Sequence, residues 1–126
     1  MYFIFKHVEH SIYRDKPGKY YHYTQASPNH KMIERGARVL CYRKETDQIF
    51  AKARVGRIES RLIGGTRNFF AHYSNYRWLR RPVFLDEIRE QVKLRDLRRP
   101  SPGIIPLDRR TFETIVKIIE QIQRLG

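Results

Sequence analysis

Two kinds of side chain in this sequence are spaced so that they could act on another molecule: rings and cations. Tyr20-Tyr21-His22-Tyr23 and Tyr73-Ser74-Asn75-Tyr76-Arg77-Trp78 interleave aromatic with polar residues. A ring in such a setting can stack on a nucleobase, or it can be a core residue whose hydroxyl reaches a polar partner. Cations flank both runs, with Lys16, Lys19 and Lys31 around the first and Arg77, Arg80 and Arg81 in and after the second. Arginine forks a phosphate through two N–H groups, and lysine meets it as a point charge. Lys and Arg number 26 against 13 Asp and Glu, a formal net charge of +13 spread over both halves of the chain. A folded body this basic repels itself unless a polyanion relieves it. Nucleic acid is the leading partner, because neutralising phosphates releases counterions whatever the base sequence. An acidic protein is the alternative partner on charge alone.

Residues for catalysis are not grouped in this way. There is no Walker loop, GxGxxG, HExxH or GxSxG. His7, His10, His22, His30 and His72 lack a companion cluster of carboxylates or thiols in sequence. Glu9, Asp15, Glu34, Glu45, Asp47 and Glu59 are scattered, so a magnesium-holding nuclease site is not expected. Asp86-Glu87 and Glu113 open helices, where the macrodipole already favours acids. The single cysteine, Cys41, lies in Val39-Leu40-Cys41-Tyr42 and reads as a core thiol. The expectation is a protein with no catalytic residues, no metal and no cofactor, that is, not an enzyme.

The elements that must position these groups fit one domain over residues 1–126, and 40% hydrophobic residues suffice for a core. No apolar run approaches the roughly 18 to 20 residues of a membrane span. Met1-Tyr2-Phe3-Ile4-Phe5 lacks a basic leader and a cleavage site, so a cytoplasmic location is expected. Tyr2–His7, Tyr20–Thr24, Arg38–Arg43, Ile49–Ile58 and Phe69–Tyr76 read as strands. In the fourth, Ile49, Ala51, Ala53 and Val55 share one face, with Lys52 and Arg54 on the other. Ser27-Pro28 reads as the start of a short helix that ends near Gly36. Pro82-Val83 breaks the last strand, and Phe84–Val92 has helical spacing. Glu9–Lys19 and Leu94–Ile105 read as loops, the second rich in Arg and Pro. Asp108 caps a final helix, about residues 108–125, whose stripe is Phe112, Ile115, Val116, Ile119 and Ile122. The fold class expected is α+β: a curled β-barrel of about five to six mostly antiparallel strands with flanking helices.

Several blocks carry a family likeness. Ser11-Ile12-Tyr13-Arg14-Asp15-Lys16-Pro17-Gly18-Lys19-Tyr20-Tyr21-His22-Tyr23 resembles the "SIYDD-P-x-x-YHF" opening of EVE-type, PUA-like domains. Gly36–Tyr42, Ile49–Val55, Phe69–Tyr76 and Arg81-Pro82-Val83-Phe84 resemble, in order, that family's "G-D-x-V-x-Y-Y", "Y-F-A-x-A-x-V", "F-Y-A-x-I-x-x-Y" and "R-P-V-P". The resemblance covers roughly residues 2–85. Ala37 stands where the family has Asp, and Thr24 where it has Pro. The resemblance implies a PUA-like barrel related to YTH domains, of the kind found at the front of HNH and McrB-type modification-dependent restriction enzymes. It further implies a specificity module for modified DNA, with RNA as the alternative ligand, and a nuclease or GTPase module in the same or a separate chain.

A reader of a modified base must take that base out of the stack. It needs rings for the base faces, polar groups for its edge and a basic rim. The candidate rings are Tyr21, Tyr23, Tyr42, Tyr73 and Trp78. The candidate polar groups are Ser11, His22, Ser27 and Asn29. Tyr42 also reads as core, and Ser27 as a helix cap. The candidate phosphate contacts are Lys16, Lys19, Lys31, Arg77, Arg80 and Arg81. A protein-interaction domain docking through the last helix is a further alternative.

Overall fold

The computed structural model describes residues 1–7, 19–88 and 103–125. Ser11 and Lys16 lie outside these residues, as do most of the two expected loops and the end of the helix expected over Phe84–Val92. The described strands are β1 (Tyr2–His7), β2 (Tyr20–Thr24), β3 (Arg38–Arg43), β4 (Gln48–Ile63), β5 (Thr66–Phe84) and β6 (Ile104–Leu107). Two helices accompany them, the short α1 (Leu85–Ile88) and α2 (Arg109–Arg124). All six strands share one sheet in the order β2-β5-β4-β3-β1-β6. Only the β1–β3 pair is parallel.

The sheet curls on itself. β1 and β2 are separated by three strands, yet the rings of Phe5 and Tyr21 stack at 4.5 Å. Asn29 Nδ2 donates to the Ile104 carbonyl at 2.9 Å, tying the segment after β2 to β6. The inner face of the curl is packed by Phe3, Phe5, Tyr21, Tyr23, Val39, Cys41, Phe50, Ala51, Val55, Ala71 and Ile104. The outer face carries a second core. There Ile4, Leu40, Tyr42, Ile49, Val83 and Ile105 meet Phe112, Ile115, Ile118 and Ile119 of α2. β1 serves both cores through alternation, with Phe3 and Phe5 inward and Ile4 outward. α2 begins as expected at Asp108, whose carboxylate accepts from Thr111 N–H at 2.7 Å. That bond is the main reason the carboxyl is held below its ordinary pKa.

Four expectations are corrected. Ile49 does not share a face with Ala51 and Val55: the β3–β4 register shifts between Cys41 and Tyr42, leaving Phe50 as an extra residue. A β-bulge of this kind reverses the alternation, so Ile49 joins the outer core. Ser27-Pro28 does not open an α-helix. Asn29 takes a left-handed backbone (φ 67°), and only a 3-10 turn at His30–Met32 follows. β5 runs on through Pro82, because the register between Trp78 and Val83 is irregular and requires no ladder bond from the proline. Phe84 therefore ends a strand, and α1 starts one residue later. Finally, Ile104 and Ile105 belong to a strand. Its Pro106 is tolerated because β6 is the sheet edge.

Gly103 marks a close approach. A Cβ built there would lie 2.7 Å from the Tyr21 hydroxyl oxygen. Gly103→Ala should therefore displace a buried, stacked ring and cost about 1–3 kcal/mol. Urea denaturation should show that loss, and it should shrink when Gly103→Ala is measured in a Tyr21→Phe background.

Candidate functional site

The expected rings do not wall one hollow. Tyr21 and Tyr23 are 5% and 3% exposed and fill the inner core. Tyr42 is buried on the opposite face of the sheet, with its hydroxyl donating to the Asp47 carboxylate. The bulge at Phe50 and the alternation of β3 put Tyr42 out of reach of the other four. Tyr23 stacks on Phe69 at 5.1 Å, and burial pushes its phenol up to about 12.

Tyr73 and Trp78 do belong together. A seam of rings leads outward from the inner core: Phe5 to Tyr73 at 6.5 Å, Tyr73 to Tyr76 at 5.4 Å, and Tyr76 to Trp78 at 5.7 Å. Trp78 is 57% exposed and leans on Phe50 at 5.2 Å. The Tyr76 hydroxyl is buried without a hydrogen-bond partner among the described residues, and burial raises its pKa. His7 sits beneath the seam, sharing a 2.7 Å hydrogen bond with the Tyr73 hydroxyl. Its edge meets Tyr21 at 5.3 Å and Phe50 at 5.6 Å.

The polar candidates have local partners. Ser27 Oγ accepts from Thr24 N–H at 3.0 Å and stabilises a turn. Asn29 closes the curl through Ile104. His22 faces outward, where Asn68 Oδ1 accepts from its Nε2 at 2.7 Å and Phe70 stacks against it at 4.6 Å. Lys19, Lys31, Arg80 and Arg81 are exposed. The Arg81 backbone is clamped by Gln123 of α2, its N–H donating to Oε1 at 2.9 Å and its carbonyl accepting from Nε2 at 2.7 Å.

Arg77 leads to a site that sequence reasoning missed. It lines a groove of about 270 Å³ on the outer face, between α2 and strands β3, β4 and β5. Arg38, Lys52 and Arg54 line it too, with Asn75, Phe112 and Val116, and among the described residues no Asp or Glu contributes. The four cations form a lattice. Arg38 lies directly across from Arg54, and Lys52 directly across from Arg77. Arg38 is held with its guanidinium carbon 4.9 Å from the centre of the Phe112 ring. Like charges directly opposite on adjacent strands destabilise a sheet. Among the described residues no carboxylate forms an ion pair with any of the four. The signal was present in β4, where Lys52 and Arg54 alternate against Ala51, Ala53 and Val55. What periodicity could not show was that β3 and β5 set cations at the same level.

No family model matches the sequence, and no curated protein matches it. Solved structures do match in shape. ASCH from Zymomonas mobilis is similar over 92% of this chain and 94% of that one, with a TM-score of 0.64 at 12% identity. A single-substitution variant of it aligns over 93% and 95%, with a TM-score of 0.67 at 10% identity. Rpa0253 from Rhodopseudomonas palustris aligns over 96% and 94%, with a TM-score of 0.61 at 19% identity. The fold is thus the PUA-like curled barrel with flanking helices that ASCH domains share. No helix among the described residues is long and apolar enough to cross a membrane.

His7 makes the aromatic seam acid-sensitive. Burial, aided by the Arg43 charge, holds its pKa down to about 3. The unfolded chain takes up this proton near pH 6.5 and the folded chain does not. Stability is therefore full above about pH 6.5 and falls as pH drops toward 3. Urea unfolding of wild type and His7→Gln between pH 7.5 and 5 should show a steeper decline for wild type.

Proposed function

We propose that this protein is a nucleic-acid-binding module that holds the phosphate backbone of its ligand in the cationic groove beside α2. The observation that carries this reading is the lattice of Arg38, Arg54, Lys52 and Arg77, opposed in like-charged pairs with no acid among the described residues that line the groove. Such a lattice costs stability until an anion enters it. Three of the four are arginines, suited to bidentate phosphate contact. The PUA-like fold and a net charge of +13 support the same reading.

The finer proposal is recognition of a modified base flipped from DNA, as the specificity part of a modification-dependent restriction system, in the cytoplasm and alongside a nuclease or GTPase module. It rests on the EVE-type resemblance in the sequence. Trp78, with Tyr76 and Tyr73 behind it, is the place where an extruded base would find a ring. The role proposed is binding without catalysis, so labelled nucleic acid incubated with Mg²⁺ should stay intact. Structured RNA is the competing ligand.

Fluorescence anisotropy with unmodified duplexes, duplexes carrying methylated adenine or methylated or hydroxymethylated cytosine, and structured RNA separates these readings. Arg54→Ser should weaken every ligand alike and lower the slope of log K against log salt by about one. It should at the same time raise thermal stability slightly, because it removes a like-charged pair. Unchanged binding would remove the groove from the account. Trp78→Ala should cost about 1–3 kcal/mol on the preferred modified duplex only, with folding intact.

A further inference from the structure

Beyond the groove, the outer face of β2, β5 and β4 carries planar groups where alternation alone would place any polar residue. Phe70 lies across from His22 on one side and Glu59 on the other. The His22 and Phe70 rings stack at 4.6 Å with planes 17° apart. The Arg61 guanidinium carbon lies 5.3 Å from the centre of the Phe70 ring. Tyr20 abuts Phe70 edge-on at 5.3 Å. Histidine, phenylalanine and arginine thus form a row across three strands, half-buried at His22 and Phe70 and exposed at Arg61.

Both ends of the row are held in place. Asn68 Oδ1 accepts from His22 at 2.7 Å, and its Nδ2 donates to the Thr66 carbonyl at 3.0 Å. At the other end, Glu59 Oε2 accepts from Arg61 at 3.1 Å. Its Oε1 accepts from Arg57 at 2.8 Å and from His72 at 2.7 Å. These contacts hold the Glu59 carboxyl below its ordinary pKa, the His72 bond foremost. A ring or guanidinium whose orientation is already fixed loses little conformational entropy when another flat group stacks on it. Every nucleobase has such a face, and rings and arginine planes both accept it.

We infer that the His22–Phe70–Arg61 row is a second contact site, which stacks unpaired nucleobases of a single strand whose phosphates run into the groove. The inference rests on the groove reading and adds to it. The row lies on the same outer face, and β4 connects the two, with Lys52 and Arg54 at one level and Arg57 and Arg61 further along. A duplex keeps its base faces stacked inside and offers this row nothing but backbone. Unpaired bases from RNA or DNA share the chemistry required.

The test uses the whole chain with oligo-U, oligo-dT and a fully paired duplex of equal length. Phe70→Ala should lower affinity for both single strands about ten-fold and leave duplex affinity unchanged, while Phe70→Trp restores the loss. His22→Ala repeats the measurement at a more peripheral position should Phe70→Ala fail to fold. Photocrosslinking of 5-bromouridine in the strand should label His22 or Phe70. Loss of oligo-U binding alone would assign the row to RNA, and loss of both to the bases themselves. Equal losses on strands and duplex, or no loss, would overturn the row while Arg54→Ser still weakens binding. Absence of saturable binding by wild type to any of the three would overturn the groove reading as well.

Discussion

The outer face of the sheet is longer than the helix that covers it. α2 has 16 residues and so spans about 24 Å. β4 and β5 have 16 and 19 residues, roughly 50–60 Å if drawn straight. The inner face has no such shortfall, because the curl brings β2 rings against β1 and closes it with its own side chains. Among the described residues, the outer face is closed where Ile4, Leu40, Tyr42, Ile49 and Val83 meet the apolar stripe of α2 and α1 adds Leu85 and Ile88. Past Phe112 and Val116 no described helix covers the same face, and Arg54, Arg61 and Arg77 on it are exposed.

The two stretches of that open face are treated differently. Near Gly56, β4 bulges against His72, and a side chain at Gly56 would press the His72 carbonyl at 3.2 Å. Beyond the bulge, one carboxylate, Glu59, ties together Arg57, Arg61 and His72. A sheet under selection for stability alone is expected to pair its charges in this manner. Next to α2 it does not. Arg38 faces Arg54, Lys52 faces Arg77, and no described residue lining the groove is an acid. The contrast lies within a single strand, so a generally basic composition does not account for it. The proposed anionic ligand would.

Much of this arrangement was legible in the residues. β-branched and aromatic runs marked β1 and β3, Asp108 marked the start of α2, and the alternation of Lys52 and Arg54 marked the open side of β4. The departures have local physical causes. One extra residue at Phe50 turned Ile49 outward, which no periodicity within a single strand reveals. Asn29 adopted a left-handed backbone that Ser27-Pro28 did not announce. Pro82 reads as a breaker, yet it sits where no ladder bond is needed. The candidate site was the least legible part, because it depends on register. Arg38, Lys52, Arg54 and Arg77 are distant in sequence and become one lattice only when three strands align. Tyr21 and Tyr23 were singled out for their polar neighbours, whereas those neighbours point to the other face.

The central claim is that this unneutralised lattice exists to receive phosphates, and side-chain NMR addresses it directly. The Nε–Hε signals of Arg38, Arg54 and Arg77 and the Nζ signal of Lys52 can be followed while a short oligonucleotide is titrated in. The account expects these four to shift together and saturably, with Arg109, already paired to Glu113, staying in place. Saturable shifts confined to other cations, with the four unmoved, would contradict it.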